Sequence, residues 1–213
     1  MKVITIYTVF YGVYEEMGEF EVQESIFNYG KWILSSRLGV MLIVCALGFL
    51  SGCDQNTPLM ESVLDDDAEA VQSLLAQGAA IDDENHYHWT ALTHAARNGN
   101  AAIAAILLDR GAQINHKDNS GWTPLMRAAM KGHTPLVKLL LERDADMAIA
   151  DASGWTALMW AVQRGHVDTV KALIKKGADV NVKDAAGRTA AMVARGEGYN
   201  DIAQLLREAG AKY

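Results

Sequence analysis

The chain has 213 residues, half of them apolar, and a formal net charge of -7. This length can hold one or two domains with a buried core, and the apolar fraction excludes gross disorder. The negative charge argues against nucleic acid as a general partner, because counterion release needs a basic surface. Charge is uneven along the chain: residues 53–84 carry nine acidic residues and no Lys or Arg, whereas residues 85–213 carry twelve acidic and sixteen basic residues.

Residues 1–30 form an N-terminal extension for which the sequence suggests no function. After it come Lys31 and Arg37, an uncharged apolar run over residues 38–50, and then small residues. A basic flank, a short apolar core and small residues are the layout of a secretory signal peptide. Thirteen helical residues rise only about 20 Å, which is too short for a hydrocarbon core of roughly 30 Å. We therefore predict a signal peptide over residues 31–52 that is removed on export.

The extension itself does not fit a signal peptide, because five glutamates lie between Glu15 and Glu24, ahead of the basic flank. A start at Met41 would discard both basic residues. We therefore expect the true translation start to lie between about Met17 and Lys31.

The signal peptide ends in Leu50-Ser51-Gly52-Cys53, which resembles the lipobox of bacterial lipoproteins. The resemblance implies that Cys53 is acylated and becomes the first mature residue, with residues 53–56 as a short tether. It also implies a bacterial cell envelope location facing the periplasm. Asp54 resembles the signal for retention in the inner membrane of enterobacteria-like lipoproteins. The alternative to the lipobox is a chance Cys after an apolar run. If the apolar run is not an export signal, the protein is cytoplasmic.

Five threonines, each 33 residues after the last, mark five copies of one structural unit. They are Thr57, Thr90, Thr123, Thr156 and Thr189. Each is followed by Pro or Ala, which predicts a helix start, since Thr caps a free N–H and Pro tolerates the first helical position. A glycine follows the first helix in the second to fifth units, a leucine or leucine–isoleucine pair lies in the second helix of the first four units, and a glycine or Asp144 closes each unit. The predicted units are residues 57–84, 85–117, 118–150, 151–183 and 184–213.

The recurring Asp-x-x-Gly-Trp-Thr, Ala-Ala and Gly-His steps, such as those around Thr123 and Thr156, resemble the ankyrin repeat over roughly residues 56–211. The resemblance implies an all-α solenoid of about five helix-turn-helix units with short β-hairpin turns between them. Neighbouring units bury each other's apolar faces, and the end units turn polar faces outward. Arg195 and Arg207 supply such a face in the last unit, so we expect a complete C-terminal cap with no further domain. His88 replaces the hairpin glycine in the second unit, so we expect the hairpin over residues 84–89 to be irregular.

The residue before each capping threonine is the strongest candidate for function. Ankyrin-like proteins place this residue on their concave binding surface, and Trp and Arg are enriched at binding hot spots. We therefore predict an exposed aromatic strip of indoles spaced about 10 Å apart, with cations beside it. The predicted partner-binding residues are Trp89, Trp122, Trp155, Arg188, Trp160, Arg97, Arg127, Lys131 and Arg164. The alternative is that the tryptophans cover the hairpin–helix junctions as hydrophobic lids.

The sequence offers little for catalysis, because it contains no phosphate-binding loop, zinc-protease helix, serine elbow or Cys-x-x-Cys pair. We predict no enzyme activity and no cofactor. His86, His88 and His116 lie in or next to neighbouring hairpins and are weak candidates for a metal or ligand site. His133 and His166 stand in the Gly-His step and are interpreted as structural. The function we expect is a monomeric, non-catalytic module that binds another protein, held to a membrane through lipid on Cys53.

Overall fold

A computed structural model describes residues 55–212; the predicted extension, the signal peptide and Cys53 lie outside this range. The described residues form ten α-helices in five consecutive pairs and contain no β-strand. In chain order the helices are α1 (Pro58–Leu64), α2 (Ala68–Ala76), α3 (Ala91–Asn98), α4 (Ala101–Asp109), α5 (Pro124–Lys131), α6 (Thr134–Glu142), α7 (Ala157–Gln163), α8 (Val167–Lys175), α9 (Ala190–Gly196) and α10 (Asn200–Glu208).

The first helix of every pair begins at one of the five repeating threonines, as predicted. Each threonine has extended backbone, and its hydroxyl accepts the N–H of the residue three positions on. These N···O distances are 3.3 to 3.5 Å. The hydroxyl thereby satisfies one of the N–H groups that a helix start leaves without a partner.

Left-handed residues reverse the chain after each helix, which confirms the predicted glycine positions. Glycines with positive φ follow the first helices of repeats 2 to 5 and the second helices of four repeats; they are Gly99, Gly132, Gly165, Gly198, Gly78, Gly111, Gly177 and Gly210. Asp144 takes this place after α6 with φ 60°, and Asp66 takes it after α1 with φ 57°. Both positions therefore hold a conformation that a side chain disfavours.

The pairs stack in sequence order into a solenoid. Each first helix packs on the first helix of the next pair, and each second helix packs on the next second helix. The predicted inward positions are buried: Leu59, Leu92, Leu125, Leu158 and the small residues Ala95, Ala96, Ala128, Ala129, Ala161 and Val162. The small side chains allow close approach of neighbouring first helices, so every repeat contributes to one continuous core.

The last repeat presents polar side chains where earlier repeats have buried or half-buried apolar ones. Arg195 and Arg207 are both exposed, in agreement with the predicted polar face. Within residues 55–212 no helix combines the length and the apolar character needed to span a membrane.

Candidate binding surface

The four hairpins between repeats are each organised by an Asp or Asn at the first position: Asn85, Asp118, Asp151 and Asp184. In the hairpin of Asp118, Oδ1 accepts the N–H of Ser120 at 2.8 Å and the N–H of Trp122 at 3.0 Å. Main-chain bonds close the same turn, from Asp118 N–H to the Trp122 carbonyl and from Gly121 N–H to the Asp118 carbonyl. The other hairpins repeat this arrangement. The side chain of the turn residue thus fixes the residue before the capping threonine.

The hairpin over residues 84–89 is regular, so the irregularity expected at His88 is wrong. His88 has φ 56° and occupies the left-handed conformation that Gly121 takes with φ 77° in the next hairpin. His88 N–H donates to the Asn85 carbonyl at 2.9 Å, and Asn85 N–H donates to the Trp89 carbonyl at 3.0 Å. Histidine enters this region more readily than most residues. The four hydrogen bonds centred on Asn85 hold it there.

The second carboxylate oxygen of the turn Asp reaches a side chain on the first helix of its own repeat. Asp118 Oδ2 accepts Arg127 Nε at 3.2 Å and also pairs with its Nη2 atom. Asp151 Oδ2 accepts the indole N–H of Trp160 at 2.9 Å. Both partners lie nine residues after the Asp. Each carboxylate therefore connects a hairpin to the helix that follows it.

Asp184 in the last hairpin joins two repeats. Its Oδ2 atom accepts the indole N–H of Trp155, from the preceding repeat, at 3.1 Å. It also accepts Arg188 Nε and pairs with Arg188 Nη2, both at 2.8 Å. Burial acts to raise the pKa of Asp184, but hydrogen bonds from the Arg188 main chain and side chain, the Ala186 N–H and the Arg188 charge outweigh it. The pKa is lowered below the ordinary value of 3.8.

The tryptophans and arginines of repeats 2 to 4 form one continuous stack. The Arg127 guanidinium lies between two indoles, 4.4 Å from the Trp89 ring centre and 4.5 Å from the Trp122 ring centre. Trp122 then contacts Trp160, with ring centroids 4.3 Å apart, and Trp160 contacts Trp155 at 4.7 Å. Cation–π and aromatic contacts of this kind contribute about 0.5–1.5 kcal/mol each. The stack holds neighbouring repeats together on this face.

An exposed arginine ends the stack on each side. The Arg97 guanidinium lies 5.2 Å from the Trp89 ring centre, and that of Arg188 lies 5.4 Å from the Trp155 ring centre. We call the whole set the Trp–Arg cluster: Arg97, Trp89, Arg127, Trp122, Trp160, Trp155 and Arg188. The structure thus brings together seven of the nine predicted partner-binding residues. Lys131 and Arg164 are exposed at the ends of α5 and α7 and are outside the cluster contacts.

The indoles do not form the evenly exposed strip that the sequence predicts. Trp155 is only 7% exposed, so the expectation of an exposed side chain is wrong at this position. The indole N–H of Trp155 donates to Asp184, and its ring contacts the ring of Trp160. These contacts fit the alternative that Trp155 is a hydrophobic lid over the hairpin–helix junction. Trp89, Trp122 and Trp160 are half-buried and keep part of their surface in solvent.

An open depression of about 340 Å³ lies at the C-terminal side of the cluster. Trp155, Trp160, Gln163 and Arg188 line it together with the hairpin that follows. Arg188 directs Nε and Nη2 to Asp184 and has half of its side chain exposed (53%). The depression therefore combines indole surface with a guanidinium whose orientation is fixed.

The three candidate metal-binding histidines do not converge. His88 Nδ1 lies 3.1 Å from Glu84 Oε2, and His116 Nε2 lies 3.5 Å from Glu84 Oε1 and 2.9 Å from the His88 carbonyl oxygen. His86 instead packs edge-on against Tyr87. In residues 55–212 no three His, Cys, Asp or Glu side chains are placed to hold a metal ion. The contacts of His88 and His116 connect two hairpins.

His133 and His166 have the structural role expected of them. His133 Nε2 lies 3.0 Å from the Arg97 carbonyl oxygen, and its ring covers Gly99, where an added Cβ would lie 2.7 Å from Nδ1. His166 does the same one repeat later, with Nε2 at 3.1 Å from the Met130 carbonyl oxygen. These histidines join the ends of successive first helices.

Sequence reasoning did not assign a role to the turn carboxylates or to His94. His94 is buried nine residues after Asn85, with Nε2 3.4 Å from Asn85 Nδ2 and its ring 5.1 Å from the Trp89 ring centre. The spacing of nine residues, shared with Arg127 and Trp160, was a signal available in the sequence.

Comparison with known proteins identifies the repeats. A family model for ankyrin repeats (3 copies) matches residues 34–118, 115–184 and 145–213. A comparison with curated proteins gave no match. The matched residues cover well over half of the chain, and the five capped helix pairs agree with them. The chain belongs to the ankyrin repeat family.

Proposed function

We propose that this protein is a membrane-anchored lipoprotein that binds another protein through the Trp–Arg cluster and the cations beside it. Ankyrin repeats serve in general as protein interaction modules, and this fold supplies the scaffold that presents the cluster. We propose that the protein is non-catalytic and monomeric. The partner is a protein, and lipid on Cys53 supplies the contact with the membrane.

One observation supports the binding part of the proposal. Buried carboxylates hold the inner side of the cluster in place, and part of its outer side is exposed to solvent. Buried Asp118, Asp151 and Asp184 fix its arginines and indoles from the protein side. A side chain that is already ordered loses less entropy when a partner binds. Partly exposed indoles and arginines of fixed orientation are the composition of a binding hot spot.

A lid over the junction explains Trp155, and it is also a possible role for the other indoles. The test must therefore distinguish a loss of partner binding from a loss of stability. Photo-crosslinking and pull-down from membranes would compare the wild type with Trp122→Ala and Arg164→Ala. Lys138→Ala, an exposed residue on α6, is the control. We expect both variants on the candidate surface to lose the captured protein, and the control to retain it.

Thermal unfolding of the same variants completes the test. Arg164 is exposed, so its replacement should leave the melting temperature unchanged while capture falls. Trp122 contacts Arg127 and Trp160, so some loss of stability is expected there. Retained capture by Arg164→Ala and by a folded Trp122→Ala protein would leave only the lid function.

The membrane part of the proposal is supported by the sequence before the repeats. A basic flank, an apolar run and Leu50-Ser51-Gly52-Cys53 coincide, and each buried lipid CH₂ contributes about 0.8 kcal/mol, so two or three chains anchor stably. Asp54, Gln55 and Asn56 then separate the lipid from Thr57 by a reach of about 10 Å. The array would lie close to the membrane surface.

Mass spectrometry and cell fractionation test the anchor. We expect the membrane-extracted protein to begin at an acylated Cys53, and Cys53→Ala to release it from the membrane fraction. Asp54 leads us to propose the inner membrane, which sucrose-gradient separation of the two membranes examines. If the protein keeps an intact Met1 terminus and fractionates with the cytoplasm, it is a cytoplasmic ankyrin scaffold and not a lipoprotein.

A further inference from the structure

Three cations form no ion pair on the candidate surface: Arg97, at the edge of the Trp–Arg cluster, and Lys131 and Arg164 beside it. Arg97, Lys131 and Arg164 are exposed, and none lies within ion-pair distance of a carboxylate among residues 55–212. Arg127 and Arg188 differ, because each is paired with a buried Asp. On the candidate surface, the positive charge that is not already paired with a carboxylate is therefore carried by these three side chains.

These three cations lie one in each of repeats 2, 3 and 4; Arg97 stands seven residues after its capping threonine, and Lys131 and Arg164 stand eight after theirs. Arg97 and Lys131 lie in the last turns of α3 and α5, and Arg164 caps the C-terminus of α7. The bonds of His133 to the Arg97 carbonyl and of His166 to the Met130 carbonyl join the ends of these helices directly. Packed helices lie about 8–10 Å apart, and we take this helix spacing as the spacing of the three long side chains, which we call the row.

Acidic residues bound the row at both ends. The position of Lys131 and Arg164, eight residues after the capping threonine, is Asp65 in repeat 1 and Glu197 in repeat 5. Both are exposed. At this position an anionic ligand would be attracted in repeats 3 and 4 and repelled by Asp65 and Glu197, so the row fits a short stretch of negative charge.

We propose that the partner segment is an extended peptide with a carboxylate at every third residue, three in all, lying along Arg97, Lys131 and Arg164. A polyproline II chain has three residues per turn and rises about 3.1 Å per residue, so residues i, i+3 and i+6 lie on one face about 9 Å apart. This spacing matches the row. The inference rests on the proposed binding function and adds the chemistry and spacing of its ligand.

Two peptides of identical composition test the spacing with the full-length chain. One fluorescein-labelled Ser/Pro-rich heptapeptide carries Glu at its first, fourth and seventh positions, and the other carries Glu at its first three positions. Fluorescence anisotropy at low ionic strength should give the spaced peptide a Kd about fivefold lower, since clustered carboxylates reach one cation well and the others poorly. Salt should weaken the spaced peptide more.

Charge reversal identifies the row. Lys131→Glu should remove the preference for the spaced peptide, whereas Lys138→Glu, an exposed residue on α6 of the same repeat, should retain it. The melting temperature of both variants checks the fold. Equal affinity for the two peptides, or equal effects of the two reversals, overturns the proposal.

Failure of the peptide proposal can be distinguished from failure of the proposed protein-binding function. If neither peptide binds while the crosslinked partner still requires Trp122 and Arg164, the proposed spacing is wrong and protein binding at the cluster stands. If capture is also insensitive to both residues, the two proposals fail together.

Discussion

Replacing Arg127 by Met should destabilise the protein strongly, because it leaves a buried carboxylate without its cation. The Asp118 side chain is 1% exposed and that of Arg127 is 15% exposed, which makes this pair more buried than the Arg188–Asp184 pair. The Arg127 guanidinium also contacts Trp89 and Trp122. Methionine keeps the apolar stem and removes the charge and the hydrogen bonds.

The expected loss is about 3 kcal/mol in the free energy of unfolding. Breaking a buried ion pair by removing one partner costs about 3–5 kcal/mol, and two partly exposed cation–π contacts contribute about 0.5–1 kcal/mol each. Two N–H groups of the turn still bind Asp118 Oδ1 and lower the cost of the unpaired charge. Packing of the methionine side chain against the indoles lowers it further.

The double variant Arg127→Met with Asp118→Asn provides the control. Asn85 holds the equivalent turn with the same two N–H bonds to Oδ1, so asparagine maintains this hairpin without a charge. We expect the double variant to recover about 1–2 kcal/mol relative to Arg127→Met alone. Urea unfolding followed by tryptophan fluorescence and circular dichroism measures both. A loss below about 1 kcal/mol for Arg127→Met, or a double variant less stable than the single one, refutes the reasoning.

Two further changes have defined outcomes. Asp144→Gly should stabilise by about 0.5–1 kcal/mol, because Asp144 has φ 60°, and the reciprocal Gly177→Asp should destabilise by a similar amount; a fall in melting temperature for Asp144→Gly contradicts this. The lowered pKa of Asp184 means that its ionised form adds stability above about pH 3.8, which is lost as pH falls through the lower folded pKa. Asp184→Asn should therefore cost more at about pH 7 than at about pH 3 in urea unfolding, and an equal cost at both would contradict the assigned shift.

The repeat architecture was predictable because its signals are local. A threonine that caps its own helix and a glycine that accepts positive φ act within a few residues, so their 33-residue period predicted the helix pairs. The prediction of an irregular hairpin at His88 failed for a physical reason. The turn is held by Asn85 through four hydrogen bonds, and these stabilise a conformation that the residue type alone makes unfavourable.

The candidate surface was predicted only in part, because burial depends on neighbours from other repeats. Trp122 and Trp155 occupy the same position in their units, yet Trp155 is buried by Trp160 and by Asp184 of the next repeat. A property that depends on contacts between repeats cannot be read from the position within one repeat. The residue types at the site were therefore predicted better than their exposure.

Three of the glycines that follow first helices are covered by a ring from the next repeat, which makes the contacts between repeats directional. His133, His166 and Tyr199 cover Gly99, Gly132 and Gly165, so the end of a first helix is completed by the repeat that follows it. Among residues 55–212 no side chain lies over Gly198. Amide hydrogen exchange should therefore be faster at the end of α9 than at the ends of α3, α5 and α7, which these rings cover. Local opening would then begin at the glycine without a ring over it, and the repeats that carry the tryptophans would open later.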